Sequence, residues 1–428
     1  MDKILYRVKK LVPKPIFNFF QPTYHATLAY VGALVYNFPS QKLKVIGVTG
    51  TKGKSTVVYL TTKLLEDSGR SVAACGSLGF KIKEREWPNT LKMTMPGRFR
   101  LQRLMAEAVK AGCEYFVLEV TSEGIKQKRH LGITFDCAVF TNIHREHIES
   151  HGSFENYCRA KQELFKITKN IHVINADDPS VKLFGDFPAK RKIFYGLTKG
   201  DLVAKNIKFS DDGSSFEVYG TVYNTSLVGQ FNIMNLLAVL SVGSMYRVDL
   251  PSAKPILESV QFIPGRMELL RREPFNVVVD YAHTPDSLEA VYKTLKAYQL
   301  TSLPAKKLIC VLGAAGGGRD KWKRPEFGRI AAQYCDEIVL TNEDPYDENP
   351  EEILNQISSG FLQAPNHKSR ITKILDRKSA IKHALTLAQK GDTVIITGKG
   401  SETSMALAGG KKIPWSDREV VQELSVSK

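Results

Sequence analysis

The segment VIGVTGTKGKST at positions 45–56 places a lysine and two hydroxyl side chains behind a glycine-rich turn. A β-branched run precedes the turn, and helical spacing follows it over residues 55–68. In such an arrangement, backbone N–H groups and the helix N-terminus face a bound anion. Lys54 is placed to neutralise the β- and γ-phosphates of a nucleotide, and Ser55 or Thr56 to reach a magnesium ion. A purely structural turn is the alternative, which the order of strand, Lys-Ser-Thr and helix disfavours.

A second set of polar residues follows two later apolar runs. Glu119 lies near the end of the run at 115–120, and Asn142, His144 and His147 come at or after the end of the run at 137–142. Because α/β sheets place their sites at the carboxyl ends of parallel strands, these side chains are expected at a site. Glu119 and His147 are candidate magnesium ligands. From the residues alone, an ordinary solvated position is equally open for both.

The elements that must position these residues alternate between short apolar runs and helical patterns, which predicts a mostly parallel α/β sheet. Residues 203–228 instead combine alternation with turn signals and predict a small antiparallel insertion. A second α/β series starts near residue 277. We therefore predict an α/β protein with a short, basic helical N-terminal stub (1–44), a P-loop central ATPase domain (45–262) and a C-terminal Rossmann-like α/β domain (263–428).

Composition narrows the function classes. The net charge of +16 favours anionic ligands, but the chain has no long Lys/Arg run and no nucleic-acid recognition motif, so we expect no nucleic-acid partner. The six cysteines include no C-x-x-C pair, which argues against a zinc site or a disulfide framework and fits a reducing cytoplasm. The apolar stretch 26–38 is too short to span a membrane. We expect a cytoplasmic monomer.

The order of the motifs resembles the Mur ligase family. After the glycine-rich turn come LEVTSE, VFTNIHREHIESHG, AKQELF, NADD, GQFNIMN, PGRME, VDYAHTPDSLE, GGGRDKWKRP, TNEDPYDENP and GKGSE. The resemblance covers residues 44 to about 420 and is strongest to the branch that adds the third peptide residue, the UDP-N-acetylmuramoyl-tripeptide synthetases. It implies a ligase that uses ATP and Mg²⁺ to join an amino acid to a carboxylate of a muramoyl-peptide-like cell-wall precursor through an acyl phosphate.

The resemblance also implies residue roles. The implied catalytic residues are Lys54, Glu119, His147 and Lys161, and the implied magnesium ligands are Ser55, Glu119, His147 and Lys161. The implied ATP-binding residues are Gly50, Thr51, Lys52, Gly53, Lys54, Ser55, Thr56, Asn142, Asn232, Arg266, Asp280 and His283. The implied acceptor-binding residues are Thr121, Ser122, Gln127 and Arg129. Lys161 is expected to be carbamylated, because a carbamate offers a metal an anionic oxygen where an ammonium would repel it; an exposed helical lysine is the alternative.

The chain departs from the family pattern at four places. Only 46 residues precede Gly47, so we expect the uridine-diphosphate-binding domain to be absent or reduced to a helical stub. Glu123 stands where the family has a histidine, and Glu146 where it has an aspartate. The amino-acid signature, D-N-P-R or D-N-P-A in the family, reads Glu343-Asp344-Pro345-Tyr346 here.

The altered signature bears on the amino acid that is added. Tyr346 lacks the two parallel N–H donors with which an arginine clamps a distal carboxylate. Glu343, Asp344 and Glu402 are expected to form an acidic pocket that favours a cationic side chain, lysine-like rather than diaminopimelate-like. Gly398 of the GKGSE motif completes the implied amino-acid site.

Two other functions stay open. A folylpolyglutamate-synthetase-like ligase also begins its P-loop near residue 45, although the segments 141–165 and YAHTPD favour the Mur ligases. A non-catalytic subunit could keep the same fold, although the intact catalytic set argues against it. The sequence leaves open whether the acceptor is linked to UDP or to a lipid.

The N-terminal segment has its own pattern. Residues 1–44 carry a net charge of +6 with interleaved aromatic side chains. Such segments can lie at anionic membrane surfaces, so residues 1–22 are a candidate for bringing the enzyme to a lipid-linked precursor at the inner membrane surface. The favoured alternative is that these helices pack on the ATPase domain as a structural cap.

Overall fold

The computed structural model describes residues 14–91, 93–146, 148–210, 213–299, 306–364 and 369–426. The chain folds into two compact units, and each unit is built from several separate segments of the sequence. Unit 1 contains the described parts of Met1–Ile143, Glu155–Val203 and Met234–Ala253. Unit 2 contains those of His144–Phe154, Ala204–Ile233 and Lys254–Lys428. The domain boundaries at 44/45 and 262/263 stay a prediction.

Helices and strands alternate along most of the chain. The strands are β1 (Lys44–Thr49), β2 (Val72–Gly76), β3 (Gly79–Ile82), β4 (Arg85–Trp87), β5 (Tyr115–Glu119), β6 (Phe135–Phe140), β7 (Ile171–Asn175), β8 (Arg191–Gly196), β9 (Leu202–Val203), β10 (Lys205–Ser210), β11 (Gly213–Val218), β12 (Thr221–Thr225), β13 (Glu268–Arg271), β14 (Asn276–Val279), β15 (Leu308–Leu312), β16 (Glu337–Leu340), β17 (Arg370–Lys373), β18 (Thr393–Ile396), β19 (Ser404–Ala406) and β20 (Lys412–Pro414). The α-helices are α1 (Lys14–Val35), α2 (Lys54–Asp67), α3 (Arg98–Lys110), α4 (Ser122–Lys126), α5 (Ile148–His151), α6 (Phe154–Ile167), α7 (Val181–Gly185), α8 (Gln230–Met245), α9 (Leu250–Glu258), α10 (Pro285–Gln299), α11 (Lys323–Tyr334), α12 (Pro350–Phe361), α13 (Arg377–Leu387) and α14 (Asp417–Val426).

Unit 1 is built on a nine-stranded sheet with the order β4-β3-β2-β5-β1-β6-β7-β8-β9. Neighbouring strands are parallel except at β2-β3 and β3-β4. The central strand β1 is buried on both faces, because its apolar run packs between helices. A Cβ on Gly47 would lie 2.9 Å from the Phe135 ring, so glycine permits close packing there. The carboxyl ends of β1, β5 and β6 lie side by side, which brings the segments that follow them to one edge.

Helix α1 buries one face and exposes the other. Ala29 and Ala33 are buried, and Gly32 packs against the backbone and ring of Phe99 on α3. Packing of the stub on unit 1 is therefore a feature of the structure. Residues 1–13 of the predicted membrane segment lie outside the described residues. Within the described ranges, every helix falls short of the length and apolarity that a membrane crossing requires.

Unit 2 contains two larger sheets. The predicted insertion at 203–228 is the antiparallel sheet β10-β11-β12. The second sheet has the order β13-β14-β18-β15-β16-β17 and is parallel except at β13-β14. Along β15, Leu308, Cys310 and Leu312 join one buried cluster and Ile309 and Val311 the other. A strand with both faces buried needs a continuous apolar run, which is what LICVL supplies.

The predicted fold class is confirmed: both units are α/β with mostly parallel sheets. The sequence did not predict the strands β3, β4, β13 and β17, which lie at or next to sheet edges, or the hairpin β19-β20. These strands are three or four residues long, and several of their positions are partly or fully exposed, so no extended apolar pattern marks them.

Candidate active site

The glycine-rich turn between β1 and α2 has the backbone of an anion cradle. Gly50 has φ 151° and Gly53 φ 79°, which favour glycine. A Cβ on Gly50 would lie 1.9 Å from Thr141 Oγ1, and one on Gly53 2.2 Å from Asn235 Oδ1. No acidic side chain lies in the first turn of α2, so the positive end of that helix is uncompensated by its own residues. The turn therefore fits an anionic phosphate.

Asn142 secures this turn. Its carbonyl oxygen accepts from Thr51 N at 2.8 Å, and its Oδ1 accepts from Lys52 N at 2.8 Å. The hydroxyl of Thr141 donates to the Lys52 carbonyl at 2.6 Å. Sequence reasoning assigned Asn142 to ATP binding. The structure shows that its backbone and side chain hold the loop, and a direct ATP contact stays a prediction.

Glu119 connects the glycine-rich turn to a path of hydroxyl groups. It is 2% exposed, and its Oε1 accepts from Ser55 Oγ at 3.2 Å. Its Oε2 accepts from Ser77 N at 2.8 Å, and the hydroxyls of Ser77 and Thr94 are 2.9 Å apart. The predicted pair Ser55 and Glu119 is thus brought together. Ser77 and Thr94 were not predicted as site residues, because a single hydroxyl side chain in a loop gives no distinctive sequence pattern.

Lys161 on α6 reaches the same turn. It is 2% exposed, and its Nζ donates to the Gly50 carbonyl at 2.6 Å. The Nζ lies 4.7 Å from the centroid of the Tyr157 ring, whose hydroxyl is hydrogen-bonded to Thr51 Oγ1 at 2.9 Å. The exposed position considered as an alternative is therefore wrong. Carbamylation stays a prediction, and a carbamate would keep one N–H for the bond to Gly50.

The magnesium ligand set is only partly described. Ser55, Glu119 and Lys161 lie around the glycine-rich turn, whereas His147 is outside the described residues. Among the side chains that the structure describes, no three His, Cys, Asp or Glu residues cluster as a metal site. A hard cation here would draw on hydroxyl and carboxylate oxygens together with phosphate and water, which suits magnesium.

The predicted acceptor residues gather around α4. The Thr121 hydroxyl caps this helix by accepting from Gly124 N at 3.0 Å, and Ser122 is buried in its first turn. Arg129 is 9% exposed and donates to Gln127 Oε1 at 2.7 Å. The structure thus brings Gln127 and Arg129 into contact and gives Thr121 a structural role.

Unit 2 holds the remaining predicted ATP residues. Asp280, at the carboxyl end of β14, accepts from Met267 N at 2.7 Å and from Ala282 N at 2.6 Å, so it shapes the loop. The Arg266 guanidinium lies 4.4 Å from the Tyr281 ring centroid. His283 Nδ1 is 2.7 Å from the Tyr281 carbonyl oxygen, and its Nε2 is 3.6 Å from Glu146 Oε1.

Asn232 lies in the first turn of α8, which follows Gly229. Its Nδ2 donates to the Val228 carbonyl at 2.9 Å. The structure brings Arg266, Asp280 and His283 together around Tyr281 but gives Asn232 a separate backbone contact. Their roles in ATP binding stay predictions.

The predicted acidic pocket contains a buried lysine that reduces its net negative charge. Lys399 is fully buried, and its Nζ donates to Asp344 Oδ1 at 3.0 Å and to Glu402 Oε2 at 2.5 Å. One buried ammonium therefore pairs with two of the three predicted carboxylates, so the pocket is less acidic than three unpaired carboxylates would make it. Glu343 Oε2 is buried without a hydrogen-bond partner. Burial raises the pKa of Glu343. Lys399 was missed although its motif, GKGSE, was recognised.

Four of the five predicted amino-acid residues, all except Tyr346, line one cleft of unit 2. Its walls are Tyr281, His283, Ala315, Arg319, Lys323, Phe327, Glu343, Asp344, Gly398 and Glu402. At one corner, Arg319 Nη2 donates to the Tyr346 hydroxyl at 3.2 Å. A guanidinium therefore lies next to the position where the diaminopimelate signature has its arginine. Gly398 has φ 103°, and a Cβ there would lie 2.3 Å from Glu343 Oε2.

Comparison with known proteins agrees with this geometry. A family model described as the Mur ligase middle domain matches residues 48–243, and one described as the Mur ligase, glutamate ligase domain, matches residues 265–400. A UDP-N-acetylmuramoyl-L-alanyl-D-glutamate–2,6-diaminopimelate ligase from Thermosynechococcus vestitus is 39% identical over 404 residues, which is 91% of this chain and 78% of that protein.

Solved structures show the same fold. A structure of a UDP-N-acetylmuramoyl-L-alanyl-D-glutamate–2,6-diaminopimelate ligase aligns with TM-score 0.64 and 30% identity, over 94% of this chain and 83% of that one. The folylpolyglutamate synthase of Mycobacterium tuberculosis, with ADP and AMPPCP, aligns with TM-score 0.70 over 87% of this chain and 92% of that one, but at 18% identity this likeness shows the fold alone. The chain belongs to the Mur ligase family and is an ATP-dependent ligase of that family.

Proposed function

We propose that this ligase adds an amino acid to a muramoyl peptide that ends in glutamate. The observation that carries the proposal is the Ser55–Glu119 pair at the glycine-rich turn, in a chain with 39% identity to a muramoyl-alanyl-glutamate ligase. The turn binds the phosphates of ATP, the path beyond Glu119 receives the acceptor, and the cleft of unit 2 receives the amino acid.

The proposed reaction has two steps. A carboxylate oxygen of the acceptor attacks the γ-phosphorus of ATP, so that an acyl phosphate forms and ADP leaves. The amine of the amino acid then attacks the acyl carbon, loses a proton, and expels inorganic phosphate to leave an amide. Lys54 stabilises the negative charge on the transferring phosphate, and the loop backbone orients it.

Magnesium is the metal that fits this donor set. Ser55, Glu119, His147 and Lys161 would hold it, and it would neutralise charge on the phosphates. Lys161 fits this role as a carbamate, whose oxygens are anionic ligands. Lys161→Ala is expected to lose nearly all activity and to recover part of it with small carboxylates, as a carbamate role requires. Mass spectrometry under bicarbonate that finds no carbamate would count against this part.

Loss of turnover in Lys54→Ala tests the proposal as a whole. The substrates are ATP, UDP-N-acetylmuramoyl-L-alanyl-D-glutamate and diaminopimelate, and released phosphate is measured. We expect loss of nearly all turnover with an unchanged melting temperature, because Lys54 is the partly exposed first residue of α2 and lies outside the core. Lys63→Ala is the matched control, since Lys63 lies on the same helix and forms an exposed pair with Asp67 at 2.8 Å. Wild-type enzyme that turns over none of these substrates would refute the proposal.

The incoming amino acid is proposed to be a diamino acid. Glu343, with its unpartnered oxygen, is placed to accept from a distal ammonium group, and Arg319 to hold a distal carboxylate. The preference for lysine over diaminopimelate stays a prediction, now supported by Glu343 alone. Competition between lysine and diaminopimelate measures the preference of the wild-type enzyme. The same assay on Arg319→Ala measures how much of that preference depends on Arg319. A preference for glutamate would favour the folylpolyglutamate-synthetase-like alternative, and absence of ATP hydrolysis with every acceptor would favour a non-catalytic subunit.

We also propose that the enzyme is cytoplasmic and contacts anionic membrane through its N-terminal segment. The free face of α1 carries Tyr24, Tyr30, Val31, Leu34 and Val35, each at least 41% exposed, and residues 24–35 contain no charged Asp, Glu, Lys or Arg. Aromatic and aliphatic side chains next to basic residues suit the interfacial region of a bilayer.

Sedimentation with vesicles of mixed neutral and anionic lipids tests the membrane proposal. The double variant Tyr30→Gln/Leu34→Gln should bind less than wild type at low salt. Leu362→Gln, which removes a side chain that is 80% exposed in unit 2, should bind as wild type does. Equal binding by all three proteins would leave α1 as a structural cap.

A further inference from the structure

Two arginine side chains of unit 1 meet at Gln127. Arg98, the first residue of α3, donates from Nη2 to the Gln127 carbonyl oxygen. Arg129 donates from Nη2 to Gln127 Oε1 at 2.7 Å and from Nη1 to the carbonyl oxygen of Met95. The Nε atoms of both arginines are buried and have no hydrogen-bond partner. Each guanidinium carries five N–H donors, so both keep donors to spare.

The guanidinium groups of Arg98 and Arg129 carry two positive charges, and no described carboxylate lies beside them. Among the described residues, no Asp or Glu oxygen lies within 4.0 Å of a charged nitrogen of Arg98 or Arg129. Burial, and then the charge of Arg129, lower the pKa of Arg98. Burial also lowers the pKa of Arg129, on which the charge of Glu123 acts only from beyond ion-pair distance. A buried guanidinium next to a half-buried one costs free energy unless an anion joins them.

The positive potential is reinforced by the backbone. Helix α3 begins at Arg98 with no side-chain cap and no acidic residue in its first turn. Its N-terminal N–H groups therefore add partial positive charge to the guanidinium pair. Arg129 supplies a buried side chain that lacks a counter-ion, which indicates a ligand rather than an ordinary helix end.

The pair adjoins the path that leaves the glycine-rich turn. That path runs from Ser55 through Glu119 and Ser77 to Thr94. The next residue is Met95, whose carbonyl oxygen accepts from Arg129. A molecule that presents one carboxylate near Ser55 and Glu119 thus meets the arginines with another part.

The proposed acceptor has the matching chemistry. A glutamate joined through its amino group has two carboxylates, of which one becomes the amide and the other stays charged. A carboxylate is a preferred partner for guanidinium groups, which can bind it with two parallel hydrogen bonds. None of the motifs that identify the family contains Arg98.

We propose that Arg98, together with Arg129, binds the acceptor carboxylate that does not react. This inference rests on the proposed function and names Arg98 as a specificity residue for a dicarboxylate end. Arg98 contributes both binding energy and selection against acceptors whose second carboxylate is an amide.

A cycle of enzyme variants and acceptors tests this role. Wild type and Arg98→Ala are assayed with UDP-N-acetylmuramoyl-L-alanyl-D-glutamate and with its analogue in which the non-reacting carboxylate is a carboxamide. With the acid, Arg98→Ala should raise the acceptor KM about tenfold or more, because a charged hydrogen bond is lost. With the amide, the two enzymes should differ less than about threefold. The KM values for ATP and the amino acid should not change, and Arg98→Lys should recover part of the loss.

Arg103→Ala is the matched control, since Arg103 is 68% exposed on the same helix and pairs with Glu107. Equal losses of Arg98→Ala on acid and amide, or no loss on either, would overturn the proposal. The UDP-free muramoyl dipeptide is a third acceptor: an Arg98 effect that disappears without UDP would assign the anion to the diphosphate and overturn it as well. Wild-type enzyme that uses no acceptor would instead refute the proposed function.

Discussion

Glu348 ties a glycine-rich loop of unit 2 to the start of α11. Its Oε2 accepts from Arg324 Nη1 at 3.0 Å, and its Oε1 accepts from the backbone N–H of Gly318 at 3.1 Å. Lys321 Nζ lies 3.3 Å from Oε2. The hydrogen bond from Arg324, with the smaller contribution of Gly318 N–H, lowers the pKa of Glu348 from 4.5 to about 2. Arg319 lies on this loop and lines the cleft that we propose for the amino acid, so Glu348→Gln is expected to affect both stability and substrate binding.

The pKa sets an upper bound on the stability that the charge of Glu348 contributes. A difference of about 2.5 pKa units corresponds to about 3 kcal/mol. Because the loop is at the surface, solvent screens the interaction, and we expect Glu348→Gln to lower the free energy of unfolding by about 1–2 kcal/mol at pH 7. Glu273→Gln removes the same charge from an exposed position of unit 2 and is expected to change it by less than about 0.5 kcal/mol.

The stability that Glu348 contributes is expected to decrease as pH falls. A carboxyl whose pKa is depressed by folding contributes stability above its unfolded pKa and loses it as pH falls towards the folded value. The difference between wild type and Glu348→Gln should thus be constant from pH 8 to about 5.5 and shrink between about 4.5 and 2. Urea unfolding over this range measures it, and hydrogen exchange at Gly318 reports the loop directly. A difference that is absent at pH 7, or that grows as pH falls, would refute the reasoning.

Three further changes probe the site. Gly53→Ala should raise the KM for ATP at least tenfold, because a Cβ would lie 2.2 Å from Asn235 Oδ1; an unchanged KM would contradict the assigned cradle. Asn142→Ala should lower kcat/KM for ATP about tenfold as the loop loses a side-chain hydrogen bond, which steady-state kinetics measures. Lys399→Met should lower the free energy of unfolding by about 3–5 kcal/mol, since buried Asp344 loses its cation; Lys399→Met/Asp344→Asn should restore much of this in urea unfolding.

Sequence patterns predicted the parts that depend on local order. The strand, glycine turn and helix around Lys54 follow from the apolar periodicity and from the backbone freedom of glycine. Glu119 could be placed near Ser55 because parallel strands end at one edge of a sheet. These features need only the chain's own periodicity.

The pairing of buried charges could not be predicted from local sequence patterns. Lys399 neutralises Asp344, which is 55 residues away in sequence, and Arg377 pairs with Asp417 across 40 residues, with neither side chain exposed. A sequence shows the sign of each charge but not which charges meet in space. The acidic residues of the pocket could therefore be read from the sequence, but the lysine that pairs with two of them could not.

The two lysines at the glycine-rich turn differ in burial in a way that suits the two roles proposed for them. Each donates to a carbonyl of the turn: Lys54 to Thr51 at 2.8 Å and Lys161 to Gly50 at 2.6 Å. Lys54 is only partly buried, so its Nζ can leave the Thr51 carbonyl oxygen and bind a phosphate with little loss of packing. Lys161 is enclosed beside Tyr157, so its position is fixed before any ligand binds. A mobile cation suits a charge that develops during transfer, and a fixed group suits a metal ligand, because preorganisation removes the cost of ordering it.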